Sequence, residues 1–159
     1  MLSNRHIDAL RVLVSAAGQD LSIIWALTGS TSFALQGMPL EAHDIDVQTD
    51  EESAYKLGNQ LEKYIVEPIH FCGTDRIRSH FGKLKICGID VEIMGDIQKR
   101  LPNGLWEKKF SLLPLIQYVS FEEIKIPVLS LAYEAEAYRM LGRAERADSI
   151  EQFLSTVQR

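Results

Sequence analysis

Hydrophobic and polar positions change period several times along the chain, and each change predicts a different element. Ile7, Leu10, Leu13 and Ala17 recur at helical spacing, which predicts an amphipathic helix ended by Gly18. Residues 23–27 form a short apolar run with β-branched and aromatic members, the composition of a buried strand with Trp25 in the core. Thr28-Gly29-Ser30 then turns the chain into a helix over 31–36, closed by Gly37. Ile45 and Val47 alternate with Asp44 and Asp46, so this strand has one apolar and one acidic face. Asp50 is placed to cap a helix over 51–61.

The middle of the chain reads as strands over 64–66, 69–72, 78–87 and 89–94, punctuated by Gly73, Gly82 and Gly88. A loop over 96–109 contains Pro102, Asn103 and Gly104, and one further strand over 118–126 precedes Pro127. Two helices, 130–141 and 143–157, are hinged at Gly142. In the second, Ala147, Ile150, Phe153, Leu154 and Val157 form an apolar stripe suited to core packing. The expected fold class is α+β: a small mixed β-sheet with flanking helices and a C-terminal helical pair.

Length and charge narrow the function. At 159 residues, without repeats or a linker, the chain is expected to be a single domain over 1–159. A net charge of −5 excludes binding of nucleic acid by bulk charge. The longest uncharged run, 21–40, is broken by glycines and Pro39, and Arg5, Asp8 and Arg11 interrupt any signal-like start. Cys72 and Cys87 lack a CxxC spacing and are expected as reduced, packed thiols. These features predict a cytoplasmic protein with no membrane partner.

The stretch from Trp25 to Val47 carries the chemistry. Gly29 lets backbone N–H groups approach a phosphate, Ser30 adds a hydroxyl, and a helix N-terminus follows. After thirteen intervening residues come Asp44 and Asp46, whose carboxylates share a strand face. Such carboxylates repel unless a cation separates them, and oxygen ligands with open positions suit Mg²⁺. Two metals flanking a phosphoryl group need a third acid. Gly88-Ile89-Asp90-Val91-Glu92-Ile93 offers Asp90 or Glu92 on one face of a strand.

Gly29-Ser30, then Asp44-Ile45-Asp46, then an apolar-acid-apolar strand, together resemble the nucleotidyltransferase superfamily that includes DNA polymerase β, and within it the small antibiotic and minimal nucleotidyltransferases. The run Leu141-Gly142-Arg143-Ala144-Glu145-Arg146-Ala147-Asp148 is similar to a helical ending in several of these proteins. The resemblance implies transfer of a nucleoside monophosphate from a nucleoside triphosphate, ATP among the candidates, to an acceptor hydroxyl with two Mg²⁺ ions. Asp44, Asp46 and Glu92 would be catalytic and hold the metals, with Glu92 favoured over Asp90, and Gly29 and Ser30 would hold the β and γ phosphates. An antibiotic or other small molecule, a protein hydroxyl and an RNA end all remain open as acceptor. The sequence departs from its relatives in three places: Leu40-Glu41-Ala42-His43 lacks the Arg and Thr they carry before Asp-x-Asp, Arg139 or its neighbourhood stands where many have a lysine, and Glu92 stands in place of an aspartate at the third acidic position. The alternative is a non-catalytic, antitoxin-like or regulatory module that keeps the fold and binds a toxin-type partner.

Secondary candidates are weighed beside these. Arg76, Arg78, Lys83 and Lys85 form a basic segment, read first as a solvated face. Trp106 is a candidate for stacking on a base, His43 reads as a loop histidine, and the histidines show no zinc spacing. Thr-Gly-Ser-Thr-Ser is not the Gly-x-Ser-x-Gly of a hydrolase nucleophile.

Overall fold

A computed structural model describes residues 1–158. Five helices surround a seven-stranded sheet: α1 (Asn4–Gly18), β1 (Trp25–Thr28), α2 (Gly29–Leu35), β2 (Ile45–Thr49), α3 (Glu51–Gln60), β3 (Ile65–Gly73), β4 (Ile77–Ile86), β5 (Ile89–Lys99), β6 (Ile116–Phe121), β7 (Ile124–Leu129), α4 (Leu131–Met140) and α5 (Ala144–Val157). The strand order is β3-β4-β5-β2-β1-β7-β6. β2 runs parallel to β5 and β1 parallel to β7, while the remaining pairs are antiparallel. This is the α+β mixed sheet expected from the sequence.

Alternation divides the sheet into two faces. Leu27, Ile45, Val47, Val91 and Ile93 point to one side and pack with Leu10 and Leu13 of α1 and Leu57 of α3 in the largest apolar core. Ser3 and Asp50 cap those two helices, Asp50 accepting the Ser53 N–H at 2.7 Å. The opposite face carries Thr28, Asp46, Gln48, Glu92 and Met94, and α4 covers it. A second apolar cluster, Phe33, Met38, Leu131, Ala135 and Ile150, fastens α4 and α5 to α2.

Several boundaries differ from the sequence reading, each for a local reason. The second helix starts at Gly29 rather than residue 31, so Gly29 and Ser30 form its first turn. The two strands expected over 64–66 and 69–72 are one, β3 (Ile65–Gly73), because register shifts absorb Pro68. The single strand expected over 118–126 is two strands, split at Glu122 and Glu123, whose φ values are +49° and +66°. Positive φ at both central residues is the geometry of a tight hairpin turn, usually signalled by Asn or Gly. Pro127 accordingly lies within β7. Part of the expected loop at 96–109 is strand: β5 continues to Lys99. Val157 of the α5 stripe is exposed, while Ala147 and Ile150 are buried. Both cysteines are free, but Cys87 is exposed in the β4–β5 turn and not packed as expected. No helix among the described residues is long and apolar enough to cross a membrane.

Candidate active site

The parallel pairing of β2 with β5 places Asp46 directly beside Glu92. Alternation sends both side chains to the face beneath α4, where they line a cavity of about 200 Å³. Asp90 has the same parity as Glu92 but lies two residues nearer the β4–β5 turn, exposed and paired with Lys85 at 3.2 Å. Asp44 precedes β2, is exposed, and is close enough for its charge to act on Asp46. Burial, then the Glu92 and Asp44 carboxylates, push the Asp46 carboxyl up to about 7.

The turn after β1 is built against these acids. Gly29 has φ +74°, and a Cβ there would overlap Asp46 Oδ2. Only glycine meets both demands without strain. The Ser30 hydroxyl accepts the His43 N–H at 3.0 Å, and the Thr31 hydroxyl donates to the Asp44 carbonyl at 2.9 Å. His6 contacts the His43 carbonyl through Nε2 at 2.7 Å. Two neighbouring hydroxyls of α2 thus fix the loop that delivers Asp44, and the Ser30 proton remains free to donate. His43 itself is exposed, as its loop position suggested.

Three charged cavity residues were given no role by the sequence reading. Glu134, 2% exposed, accepts the Thr28 hydroxyl at 2.6 Å and the Gly29 N–H at 3.3 Å. Burial pushes its carboxyl up to about 7, with the two hydrogen bonds opposing and Asp46 adding to the rise. Glu134, Ala137, Tyr138 and Leu141 all line the cavity. Their spacing is one face of a helix, a signal present in the sequence. Lys99 is 4% exposed, paired with Glu107 at 3.2 Å and flanked by the Phe110 and Tyr133 rings. A bulge on β5 explains its position: Asp96 and Ile97 together oppose Ser79, and Asp96 has φ +49°. The extra residue reverses the alternation, so Ile97 and Lys99 join Glu92 and Met94 on the cavity side. Arg143 is the third, lining the cavity and standing over the Tyr138 ring, whereas Arg139 is held outside by Asp148 and Glu151.

The secondary candidates are dispersed. Trp106 is covered by the Arg78 guanidinium at 4.3 Å and the Arg100 guanidinium at 5.3 Å. Arg78 also bonds Gln98, and Lys85 is paired with Asp90, so the basic segment is not one free surface. Asp44, Asp46 and Glu92 are hard oxygen donors whose mutual repulsion a divalent cation would relieve, so the donor set fits Mg²⁺ in kind. Among the described residues, no three acidic, histidine or cysteine side chains are gathered tightly enough to hold a metal as they stand.

The mixed sheet, the glycine turn against an acidic strand and the covering C-terminal helices define a nucleotidyltransferase fold. The family model for aminoglycoside-2''-adenylyltransferases matches residues 11–153, and the chain belongs to that family. Among solved structures, TM1012 from Thermotoga maritima, a candidate nucleotidyltransferase, is 44% identical over 98% of this chain and 96% of its own, with a TM-score of 0.86. The lincosamide adenylyltransferase LnuA, solved with lincomycin bound, shares the fold at 16% identity (TM-score 0.56; 89% of this chain, 96% of that one). So does ANT(2'')-Ia in complex with adenylyl-2''-tobramycin, at 11% identity (TM-score 0.50; 93% of this chain, 94% of that one). Comparison with curated proteins finds no match.

Proposed function

We propose that the protein transfers a nucleoside monophosphate from a nucleoside triphosphate to the hydroxyl of a small-molecule acceptor. The observation that carries this reading is the Asp46–Glu92 pair, in register on parallel strands and facing a glycine turn that no other residue could occupy unstrained. Asp44, Asp46 and Glu92 would hold two Mg²⁺ ions, which when bound supply charge neutralisation at the reacting phosphate. Gly29 lets the β and γ phosphates approach the turn while its own N–H stays on Glu134, Ser30 offers them its hydroxyl, and Arg143 faces the same cavity with a positive charge. The acceptor oxygen bonds to the α-phosphorus as the bond to the bridging β-oxygen breaks, and pyrophosphate leaves. The hydroxyl proton passes to Glu92. The chain's contribution is chiefly positioning and fixed charge, the principal levers in phosphoryl transfer.

Membership of the adenylyltransferase family favours ATP as donor and an antibiotic-like polyol or aminated sugar as acceptor. Free cysteines, one of them exposed, suit a reducing, cytoplasmic setting. A non-catalytic, partner-binding role would leave the Asp46 carboxyl, crowded by Glu92 and Asp44 on an open cavity, without a purpose. The test is incubation with Mg²⁺, each triphosphate and either an aminoglycoside or lincomycin, reading pyrophosphate release and acceptor mass. The expected result is one nucleoside monophosphate added per acceptor. Triphosphate binding without transfer to any hydroxyl compound would refute the enzymatic reading.

A further inference from the structure

Asp46 and Glu92 owe their places to the sheet ladder, but Asp44 stands just outside β2 with its side chain exposed. No hydrogen bond from the described residues holds its carboxylate, so its backbone decides where that carboxylate points. The Asp44 carbonyl accepts the Thr31 hydroxyl at 2.9 Å. The peptide on its other side is held by a distant element: the His43 carbonyl accepts from Nε2 of His6, in the first turn of α1, at 2.7 Å. The Met1 carbonyl accepts the Ala42 N–H at 3.3 Å, so the same segment meets the loop twice.

The start of α1 fixes how His6 does this. Ser3 caps the helix, and His6 occupies the position, three residues on, that Glu or Gln takes in the usual capping box. The His6 N–H donates to the Ser3 hydroxyl at 3.3 Å, while Nδ1 faces the Ser3 N–H at 3.2 Å and the same hydroxyl at 2.7 Å. A backbone N–H can only donate and a carbonyl can only accept, so Nδ1 is bare and Nε2 carries the proton. The residue is 7% exposed, and its ring nitrogens depend on these partners. For α1 alone a glutamate would serve as well. A glutamate, however, offers the His43 carbonyl no proton, and the imidazole serves helix and loop together.

We infer that His6 is a positioning residue for nucleotidyl transfer: through the His43 carbonyl it aims Asp44 at the divalent cation that Asp44, Asp46 and Glu92 would share. The inference rests on the proposed function and adds to it a residue that touches neither substrate nor metal. Losing a partner one step behind a metal ligand typically costs about 10–100-fold in metal affinity.

The test is calorimetric binding of ATP, with Mg²⁺ and with EDTA, to wild type, His6→Met, His6→Gln and Ser3→Ala, each checked by thermal melt. The readout is the gain in ATP affinity that Mg²⁺ confers. His6→Met removes the donor and one half of the cap, and its gain should fall by about tenfold or more. In His6→Gln the amide nitrogen donates to the His43 carbonyl and the amide oxygen accepts the Ser3 N–H, so the gain should return. Ser3→Ala removes the other half of the cap but leaves the Ser3 N–H on Nδ1; it should melt lower with its gain intact. An unchanged gain in His6→Met, no recovery in His6→Gln, or an equal loss in Ser3→Ala would each overturn the inference. Should His6→Met not fold, His6→Asn carries the same expectation, because its shorter amide still accepts the Ser3 N–H but falls short of the His43 carbonyl. Wild type binding ATP no better with Mg²⁺ than with EDTA would instead remove the functional reading, and the inference with it.

Discussion

The Glu134 carboxylate accepts the Thr28 hydroxyl at 2.6 Å across 106 positions of sequence. With its second oxygen on the Gly29 N–H, it ties α4 to the turn that presses against Asp46. A carboxylate this deeply buried is normally retained only where hydrogen bonds hold it. Glu134 thereby couples the C-terminal helical pair to the acidic strand.

That coupling has a pH signature. Glu134 and Asp46 both titrate near 7 in the folded protein, above the ordinary carboxylate range. The folded state therefore binds protons more tightly than the unfolded chain, and stability falls as pH rises from about 4 to about 7. Glu134→Gln keeps an acceptor for Thr28 and removes the charge. Urea melts of the metal-free proteins should show a shallower decline in the variant, with the difference growing by roughly 2–3 kcal/mol across that interval. Parallel pH profiles would mean that Glu134 is not protonated when buried.

Gly29→Ala should be severe. The residue sits at φ +74°, and its new Cβ would overlap Asp46 Oδ2. The left-handed backbone alone costs about 1–2 kcal/mol, and relief of the overlap must move the very carboxylate proposed to hold metal. A loss of at least ~2 kcal/mol with abolished Mg²⁺-triphosphate binding is expected, by melt and calorimetry. Near-normal binding would show that the turn does not face the phosphates.

Asp46→Asn tests the repulsion among the acids. Asp46 is raised by burial and by Glu92 and Asp44, so its charge opposes folding near neutral pH when no cation is present. The metal-free variant should melt no lower than wild type at pH 8, and its Mg²⁺-dependent triphosphate binding should vanish. Clear destabilisation without metal would assign Asp46 a structural partner instead.

What the sequence shows of this site follows from periodicity. Asp44, Asp46 and Glu92 lie on uninterrupted alternation, and their shared face could be read directly from Ile45, Val47, Val91 and Ile93. Lys99 could not, because the bulge at Asp96 shifts the parity and a strict period would have sent it to the opposite face. Gly95-Asp96 inside an apolar strand was the available sign. Glu134 was legible in principle as one member of the Glu134-Ala137-Tyr138-Leu141 face, but an acid on a helix normally marks the solvent side. The β6–β7 hairpin was hidden for a different reason. Its turn is Glu122-Glu123, two residues that seldom take positive φ, so alternation ran on through it.

The Lys99–Glu107 pair gives the last prediction, because burial makes its two halves unequal to the whole. Lys99 Nζ and backbone N–H both donate to Glu107 Oε1, at 3.2 Å and 2.9 Å. Lys99→Met removes the cation and leaves Glu107, whose side chain is only 15% exposed, without its counter-charge. Breaking one side of a buried pair typically costs 3–5 kcal/mol, whereas replacing both charges is often close to neutral. Glu107→Gln retains an oxygen for the Lys99 backbone N–H. Lys99→Met should therefore be strongly destabilised, and Lys99→Met/Glu107→Gln should recover most of that loss in the same denaturant melt. The double variant also separates structure from chemistry: a stable protein that still binds triphosphate would make the ion pair a support for the cavity wall, while a stable protein that has lost it would make Lys99 part of the binding site. Additive destabilisation in the double variant would show that the two charges do not interact at all.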